Sequence, residues 1–321
     1  MSQPAALSPD TDQKPDMADL PAQHPAAPHS RAEARARYFN SGNAFNIKLP
    51  PVPSRLFTQE PARALADGAT TGFIPCDQSD AMACAFPATT PLMLARYAVV
   101  AAGARFTVDL RATGSIWYVI AGRGQVDCLG ESLAVAPGDV FLLPGSPARI
   151  TAGAEQLVMW VVSNEPQLAL NGDLPPDEAR RPVAVVHYPA AEIARQVDII
   201  YDHAQNAQTS GIALIFSSEP QAAARNILPS LTLSLNTLPP GEHQRAHRHN
   251  SAAITLVLQG ENCHSMVDGV RCPWSQWATL VTPPGAPHSH HNAGSERALF
   301  LIVQDGGLHY HARTMGFSFL E

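Results

Sequence analysis

Charge is scarce in this sequence of 321 residues. Only 15% of the residues are charged, and the 29 prolines outnumber the 21 lysines and arginines taken together. The net charge is −7 and the only basic cluster is the short Arg31–Arg37 stretch, so the composition lacks the positive footprint of a nucleic-acid-binding protein. Low charge with abundant proline and glycine favours short strands and tight turns over long surface helices.

Paired cysteines and long apolar runs are also missing. The five cysteines form no C-x-x-C pair, and their odd number favours free thiols in a reducing compartment. The N-terminus has no charged-then-apolar signal pattern. The apolar stretch around Tyr97–Ala104 is too short to span a bilayer. We therefore expect a soluble cytoplasmic protein that binds neither nucleic acid nor a membrane.

The chain divides into five segments by composition and by strand pattern. The first is rich in Pro, Ala, Asp and Gln and has few β-branched or aromatic residues, so we expect disorder there. Two later stretches show short apolar strands that end at Gly or Pro turns, which is typical of a closed or sandwiched β fold. The predicted segments are a disordered tail (1–30), an N-terminal arm (31–91), a first barrel (92–163), a connector (164–227) and a second barrel (228–321).

Local patterns predict individual elements within these segments. Helical spacing of apolar residues predicts a helix over Ala190–Tyr201 in the connector, and a strand follows at Ile212–Phe216. In the second barrel, Leu231, Leu233 and Leu235 alternate with polar residues. Because successive side chains of a strand point to opposite faces, this alternation predicts that one face of the strand is buried.

The two strand-rich stretches repeat each other. Four turn residues of the first stretch recur 138 or 139 positions later in the second. A near-constant register of this kind indicates two copies of one small β-barrel, so the predicted fold class is all-β with a short helical connector. The matching pairs are Gly103 and Gly241, Gly122 and Gly260, Gly130 and Gly269, and Pro144 and Pro283.

Histidines are concentrated in the second copy. Nine of the 13 lie between His243 and His311. His247 and His249 are two residues apart, so on a strand both imidazoles face the same side. A third imidazole, His288 on a neighbouring strand, would complete one face of a metal. Imidazole suits Fe, Zn, Cu or Ni, and three protein ligands leave open positions for catalysis.

The alternative for these histidines is a solvent-exposed loop or side chains satisfied by hydrogen bonds. The third histidine, the flanking turns and the strand context agree on the metal site instead. The first copy has Asp109, Arg111 and Arg149 at the three equivalent positions, which predicts a metal-free, structural barrel. His290, two residues beyond His288, is a candidate catalytic residue for hydrogen bonding or proton transfer, with a simple exposed histidine as the alternative.

Two motifs carry a resemblance to a known family. Gly241-x5-His247-x-His249 and Pro283-x-Gly285-x2-His288-x3-Asn292 resemble the two cupin motifs. The resemblance implies a tandem pair of jelly-roll barrels with a metal inside the second. General cupins carry a glutamate a few residues after the second histidine, where this chain has Ser-Ala-Ala-Ile at 251–254. A three-histidine cupin resembles the gentisate/salicylate 1,2-dioxygenase family in particular.

This resemblance implies a specific activity. It is that of an Fe(II)-dependent, extradiol-type 1,2-dioxygenase in the catabolism of aromatic hydrocarbons. The enzyme would insert O2 between the carboxyl-bearing and hydroxyl-bearing ring carbons of a 2-hydroxybenzoate, that is, gentisate, salicylate or a 5-substituted salicylate such as 5-nitrosalicylate. The resemblance and the apolar arm residues together imply a homo-oligomer.

The chain departs from the family at two positions. Trp277 stands where the family often has glycine before the second motif. Thr255 stands where the family often has an arginine that contacts the substrate carboxylate, six residues beyond the second histidine. Substrate binding is therefore assigned to the region of Thr255, with Arg245, Arg248, Arg271 or an arm residue as candidate carboxylate anchors.

Two other functions stay open at this stage. The first is a different metalloenzyme on the same barrel, such as a decarboxylase or isomerase that uses Mn or Zn, although such relatives usually keep the missing glutamate. The second is a non-enzymatic cupin that binds or senses a small ligand, because a fold does not fix its function.

Overall fold

The computed structural model describes residues 14, 16–45, 47–203 and 211–320. Residues 1–13 and 15 of the predicted disordered tail lie outside these residues, so the prediction of disorder stays a prediction. The chain splits into two compact units, Met1–Pro50 and Pro51–Glu321. In the first unit, a 3₁₀ turn covers Met17–Asp19 and helix α1 covers Arg31–Ala34. The Oγ atom of Ser30 accepts the Glu33 amide and caps the start of α1.

The second unit contains short helices and many strands. Its helices are α2 (Gln59–Ala64), α3 (Glu165–Asn171), α4 (Ala190–Tyr201) and α5 (Gly306–Ala312), with 3₁₀ turns at Asp80–Met82, Glu178–Arg180 and Glu219–Gln221. Strands β1–β10 are Leu56–Phe57, Gly72–Pro75, Leu94–Val100, Arg105–Val108, Gly114–Ala121, Gly124–Cys128, Glu131–Val135, Val140–Pro144, Ala148–Ala152 and Leu157–Ser163. Strands β11–β21 are Val186–Tyr188, Ile212–Phe216, Thr232–Leu238, His243–His249, Ala253–Gln259, Cys263–Val267, Val270–Pro273, Thr279–Thr282, His288–Asn292, Ala298–Gln304 and Phe317–Phe319.

The strands form two antiparallel barrels, each made of two facing sheets. In the first barrel, a sheet with the order β11-β8-β5-β10-β3-β2 faces one with the order β4-β9-β6-β7. In the second, a sheet with the order β1-β18-β15-β20-β13-β12 faces one with the order β17-β16-β19-β14-β21. The predicted all-β fold of two tandem jelly-roll barrels is confirmed. The predicted helix α4 and strand β12 have the bounds that the sequence pattern indicates.

Strands from the predicted arm and connector extend both barrels. Strand β1 pairs with β18 of the second barrel, and β2 pairs with β3 of the first. Strand β11 pairs with β8, and β12 pairs with β13. The predicted segment boundaries stay predictions, but each of these short strands adds an outer strand to a six-stranded sheet.

The interior of the first barrel is filled by apolar side chains. Trp117 and Phe141 stack with ring centroids 5.5 Å apart, and both are fully buried. Val126, Ile150 and Met159 belong to the same core cluster. A packed interior of this kind has no room for a ligand at its centre.

A second, larger core lies between the two six-stranded sheets. It joins residues of the first barrel such as Tyr97 and Trp160 to residues of the second such as Leu233, Ile254 and Leu301 in one buried cluster. The strands of these sheets are therefore apolar where they face the other barrel, which explains why β10 is buried along its whole length and β3 is buried except at Arg96. Within the described residues, no helix is long and apolar enough to cross a membrane.

Candidate metal centre and cavity

Three histidines meet inside the second barrel on two neighbouring strands. His247 and His249 lie on β14, where their spacing of two residues places both side chains on one face. His288 begins β19, which pairs antiparallel with β14 so that His288 is directly opposite His247. Directly opposed residues on paired strands bring their side chains into contact. The sequence spacing and the strand pairing thus bring the three imidazoles together.

The distances among these imidazoles suit a single metal ion. The ring of His288 lies 4.2 Å from the ring of His247 and 4.7 Å from that of His249, centroid to centroid. One nitrogen from each ring can be chosen so that all three nitrogens lie within 4.8 Å of one another. With metal–nitrogen distances of about 2.0–2.1 Å, one ion can bind all three.

A hydrogen bond to the backbone orients each imidazole. In all three rings, Nδ1 lies beside a carbonyl oxygen two residues away along the chain. This makes Nδ1 the protonated nitrogen and Nε2 the nitrogen that could bind a metal. The three bonds run from His247 to Arg245 at 2.8 Å, from His249 to Ser251 at 2.8 Å, and from His288 to Ala286 at 2.9 Å.

Burial keeps the three imidazoles neutral. Desolvation lowers the pKa of His247, lowers that of His249 to about 4, and lowers that of His288 to about 3. Only the neutral imidazole can donate its lone pair to a metal. The site is therefore prepared to bind a cation at neutral pH without first releasing protons.

A cavity of about 480 Å³ opens beside these histidines, which is within the usual range for small-molecule sites. Its wall includes the polar face of β13, namely Thr232, Ser234 and Asn236, together with Gln304 of β20. Within the described part of the chain, no aspartate or glutamate lines this cavity. Because no described carboxylate lines it, the cavity wall does not repel an anionic ligand.

The structure places His290 in the wall of the same cavity. The side chain is buried, and its ring lies 6.0 Å from that of His288. Ser265 Oγ lies 2.7 Å from Nδ1 of His290 and accepts a hydrogen bond from Trp274 Nε1. These contacts hold the ring and leave Nε2 available to the cavity. The exposed alternative does not apply to this buried histidine, and its catalytic role stays a prediction.

A β-bulge decides which side chains of β14 face the cavity. The register of β14 against β19 shifts between Gln244 and His247, so Gln244 lines the cavity together with His247 and His249. A bulge inserts one extra residue and reverses the alternation of faces. Arg245 lies over the ring of Phe319, at 3.9 Å, and Phe319 is directly opposite His247 on β21.

The other predicted substrate-binding residues are divided between cavity and surface. Thr255 of β15 is buried and lines the cavity. Arg248 is exposed and donates to Ser318 on β21. Arg271 lies beside His264, 3.4 Å from its Nδ1. Because neither Arg245 nor Arg248 forms part of the described cavity wall, their assignment to substrate binding stays a prediction that this geometry does not support.

The equivalent positions in the first barrel carry no such site. Asp109, Arg111 and Arg149 are exposed, and Arg149 pairs with Asp127 at 3.3 Å on the surface. The side chains that replace the histidines thus point away from the barrel interior, which apolar residues fill. The metal-free, structural role of the first barrel stays a prediction.

Most of the cavity wall was not predicted as part of the site, and three of its large side chains come from a loop or from the C-terminal segment. Arg225 lies in the loop before β13, Tyr310 lies on α5, and Phe317 begins β21. None belongs to a strand motif, and their approach to the cavity depends on how loops and the C-terminal segment fold back over the barrel. No spacing signal in the sequence could have found them.

A buried carboxyl group supports the segment that follows His249. Asp305 Oδ1 accepts the amide of Ala252 at 2.8 Å, and the Asp305 amide donates to the Ala252 carbonyl. Ala252 follows Ser251, whose carbonyl holds Nδ1 of His249. Burial raises the pKa of Asp305 to about 7, so the carboxyl group is largely protonated in the folded protein below neutral pH.

We expect Asp305→Asn to change how stability depends on pH. The pKa of the Asp305 carboxyl group is 3.8 in the unfolded chain and about 7 in the folded protein. Its contribution to the free energy of unfolding is therefore fully present below about pH 4 and is lost as pH rises through about 7. The asparagine variant lacks this loss and should gain up to about 4 kcal/mol relative to wild type between these limits. Urea unfolding across this range measures the difference, and a constant difference at all pH values would contradict the assignment.

Comparison with known proteins identifies the second barrel. Residues 234–304 match the cupin domain family. A segment of 82 residues is 35% identical to a gentisate 1,2-dioxygenase of Ralstonia sp, covering 26% of this chain and 23% of that protein. A segment of 136 residues is 27% identical to a 5-aminosalicylate 1,2-dioxygenase of Comamonas sp, covering 42% of this chain and 34% of that protein. The matched segments thus span about a third or less of these relatives.

The fold comparison extends over most of the chain. The structure superposes on the salicylate 1,2-dioxygenase of Pseudaminobacter salicylatoxidans with a TM-score of 0.71 and 11% identity, covering 88% of this chain and 92% of that one. At this identity the likeness concerns the fold alone. The predicted resemblance to gentisate and salicylate 1,2-dioxygenases is confirmed, in sequence for the cupin domain and in fold for the pair of barrels.

Proposed function

We propose that the protein is an Fe(II)-dependent 1,2-dioxygenase that cleaves the ring of a 2-hydroxybenzoate. The observation that carries this proposal is a cavity in which three neutral imidazoles converge and which no described carboxylate lines. The names of the sequence relatives, which act on gentisate and 5-aminosalicylate, support the same substrate class. The cleavage would be extradiol-type in the sense that the broken bond lies beside the hydroxyl-bearing carbon.

The charge of the site explains the choice of substrate. Three neutral ligands leave a divalent cation with its full charge of about +2. An adjacent carboxylate and phenolate on one ring carry up to two negative charges and can bind such a cation through both groups. In a cavity of low dielectric constant, this neutralisation is worth more than in water. A 2-hydroxybenzoate therefore complements the site in charge and in donor spacing.

The donor set fits iron. His247, His249 and His288 would hold the ion through Nε2, and a three-imidazole site leaves positions for substrate and dioxygen. Bound Fe(II) would supply the Lewis acidity and the electron exchange with O2 that organic side chains lack. The same nitrogen donors also bind Mn and Zn, so the choice of iron over these metals is part of the proposal.

The remaining residues bind and orient. The bond between the carboxyl-bearing and hydroxyl-bearing carbons would break, and both atoms of O2 would be incorporated into the ring-opened product. No external reductant is therefore needed. His290 presents Nε2 to the cavity while Ser265 holds its other nitrogen, and we propose that it hydrogen-bonds the substrate or oxygen. The apolar residues Ala213, Ile215 and Ile302 line the cavity as well and restrict the access of water to the ring.

The proposal extends to assembly and location. Phe39, Phe45 and Ile47 of the first unit are 61%, 89% and 71% exposed, and burying such side chains is the usual reason for chains to associate. We propose a homo-oligomer on this ground. The five cysteines are free thiols, which supports a reducing compartment such as the cytoplasm.

The proposed activity can be tested by oxygen consumption. Protein loaded anaerobically with Fe(II) would be offered gentisate, salicylate and 5-nitrosalicylate in turn, with metal content measured in parallel. We expect uptake of one O2 per ring cleaved with at least one of them, and loss of the aromatic absorbance. Carbon dioxide release without oxygen uptake would support a decarboxylase on the same barrel, and bound iron with neither signal would support a ligand-binding cupin.

A further inference from the structure

Arg225 provides the only cationic side chain other than histidine in the described wall of the cavity. It lies in the loop between the 3₁₀ turn Glu219–Gln221 and β13. Its backbone is left-handed, with φ of 55°, a conformation uncommon for residues with side chains. The guanidinium of Arg225 is thus carried by a loop and not by a barrel strand.

The guanidinium of Arg225 is available to a ligand. In the part of the chain that the structure describes, it forms no hydrogen bond or ion pair, whereas Arg96, Arg149, Arg195 and Arg297 each pair with a carboxylate. An arginine beside a cavity without acidic residues is a ready partner for an oxygen anion, which it can bind through two parallel hydrogen bonds.

Arg225 and the metal-binding histidines occupy different depths. Arg225 is exposed, whereas His247, His249 and His288 are 5%, 7% and 4% exposed. A 2-hydroxybenzoate that binds the metal through its carboxylate and hydroxyl groups places those two groups at the buried end of the cavity. The opposite edge of its ring, at positions 4 and 5, then faces the solvent side, where Arg225 lies.

We infer that Arg225 is a specificity-determining residue that recognises an anionic substituent on the ring edge opposite the metal-binding pair. This inference rests on the proposed function. It defines the substrate class as 2-hydroxybenzoates that carry a carboxylate or another anionic oxygen group at that edge. A neutral alkyl substituent at the same position gains nothing from the guanidinium.

The test is anaerobic calorimetric titration of the Fe(II)-loaded protein with three probes, salicylate, 5-carboxysalicylate and 5-methylsalicylate. We expect wild type to bind 5-carboxysalicylate at least about tenfold more tightly than 5-methylsalicylate, as a charge-assisted hydrogen bond implies. Arg225→Gln should remove this preference and leave the affinity for salicylate within about twofold of wild type. Arg225→Lys, which keeps the charge but loses the bidentate geometry, should retain part of the preference.

Arg123→Gln is the matched control, because Arg123 is exposed on a turn of the first barrel, and it should retain the full preference. Equal weakening of all three probes by Arg225→Gln would overturn the inference, since Arg225 would then act on the carboxylate that they share. An unchanged preference in Arg225→Gln would also overturn it. Failure of wild type to bind any probe would instead refute the proposed function, and this inference with it.

Discussion

His288→Ala should abolish metal binding and oxygen uptake together. The substitution removes one of the three proposed ligands from a site that has no fourth candidate ligand among the described His, Cys, Asp and Glu residues. Loss of an outer hydrogen-bond partner alone typically costs about 10- to 100-fold in metal affinity, so loss of a ligand should exceed about 100-fold. Metal content after dialysis and anaerobic reconstitution, followed by oxygen electrode assays, measures both effects.

His264→Ala is the matched control for this experiment. His264 lies on β16 in the same sheet, and its ring stacks on that of His291 at 4.7 Å, outside the cavity wall. The control should keep one metal per chain and wild-type uptake. Retention of one tightly bound metal by His288→Ala would refute the three-histidine site, whereas parallel losses in both variants would indicate general disruption of the sheet.

Trp160→Ala should lower the free energy of unfolding by about 3–5 kcal/mol, a large loss for a single substitution. Trp160 is fully buried in the core between the barrels, and its Nε1 donates to Thr279 Oγ1 at 3.0 Å. Tyr97 shares the same hydroxyl at 2.7 Å, so truncation leaves a cavity and disturbs a buried polar cluster. Because this core joins both barrels, we expect one unfolding transition at lower urea, recorded by fluorescence and far-UV circular dichroism.

Trp160→Phe separates packing from hydrogen bonding in the same position. It keeps most of the aromatic volume and loses the hydrogen bond to Thr279, so the expected loss is smaller, about 1–3 kcal/mol. A loss under about 1 kcal/mol for Trp160→Ala would contradict the role of the shared core. Two separate transitions in wild type would show that the barrels unfold independently.

The polar face of β13 shows what alternation of apolar and polar residues can and cannot predict. The alternation of Leu231, Leu233 and Leu235 with polar residues predicts one buried face, and these leucines do pack into the core between the barrels. The polar face is turned toward the cavity, where Asn236 is only 7% exposed. Period-two alternation separates two faces, but it does not determine what covers either one.

The prediction that Arg245 binds the substrate carboxylate depended on strand alternation. Arg245 shares the parity of His247 and His249, so strict alternation would place all three side chains on one face. The structure instead places Arg245 over Phe319, and the bulge between Gln244 and His247 brings Gln244 into the cavity wall. Bulges leave no consistent mark in a single sequence. Arg225 enters the cavity wall from a loop, where neither period nor register offers a guide.

The sequence by itself determined the features that depend on local spacing and repetition. These are the two barrels, helix α4, and the three histidines, of which two share a strand face and the third follows a repeated turn. Only the tertiary structure decided which residues surround the three histidines, because the strand pairing, the bulge in β14 and the loop that carries Arg225 bring together residues distant in sequence. Local spacing identifies the candidate ligands, whereas strand pairing brings them together and the packing of sheets and loops fixes the shape and charge of the cavity around them.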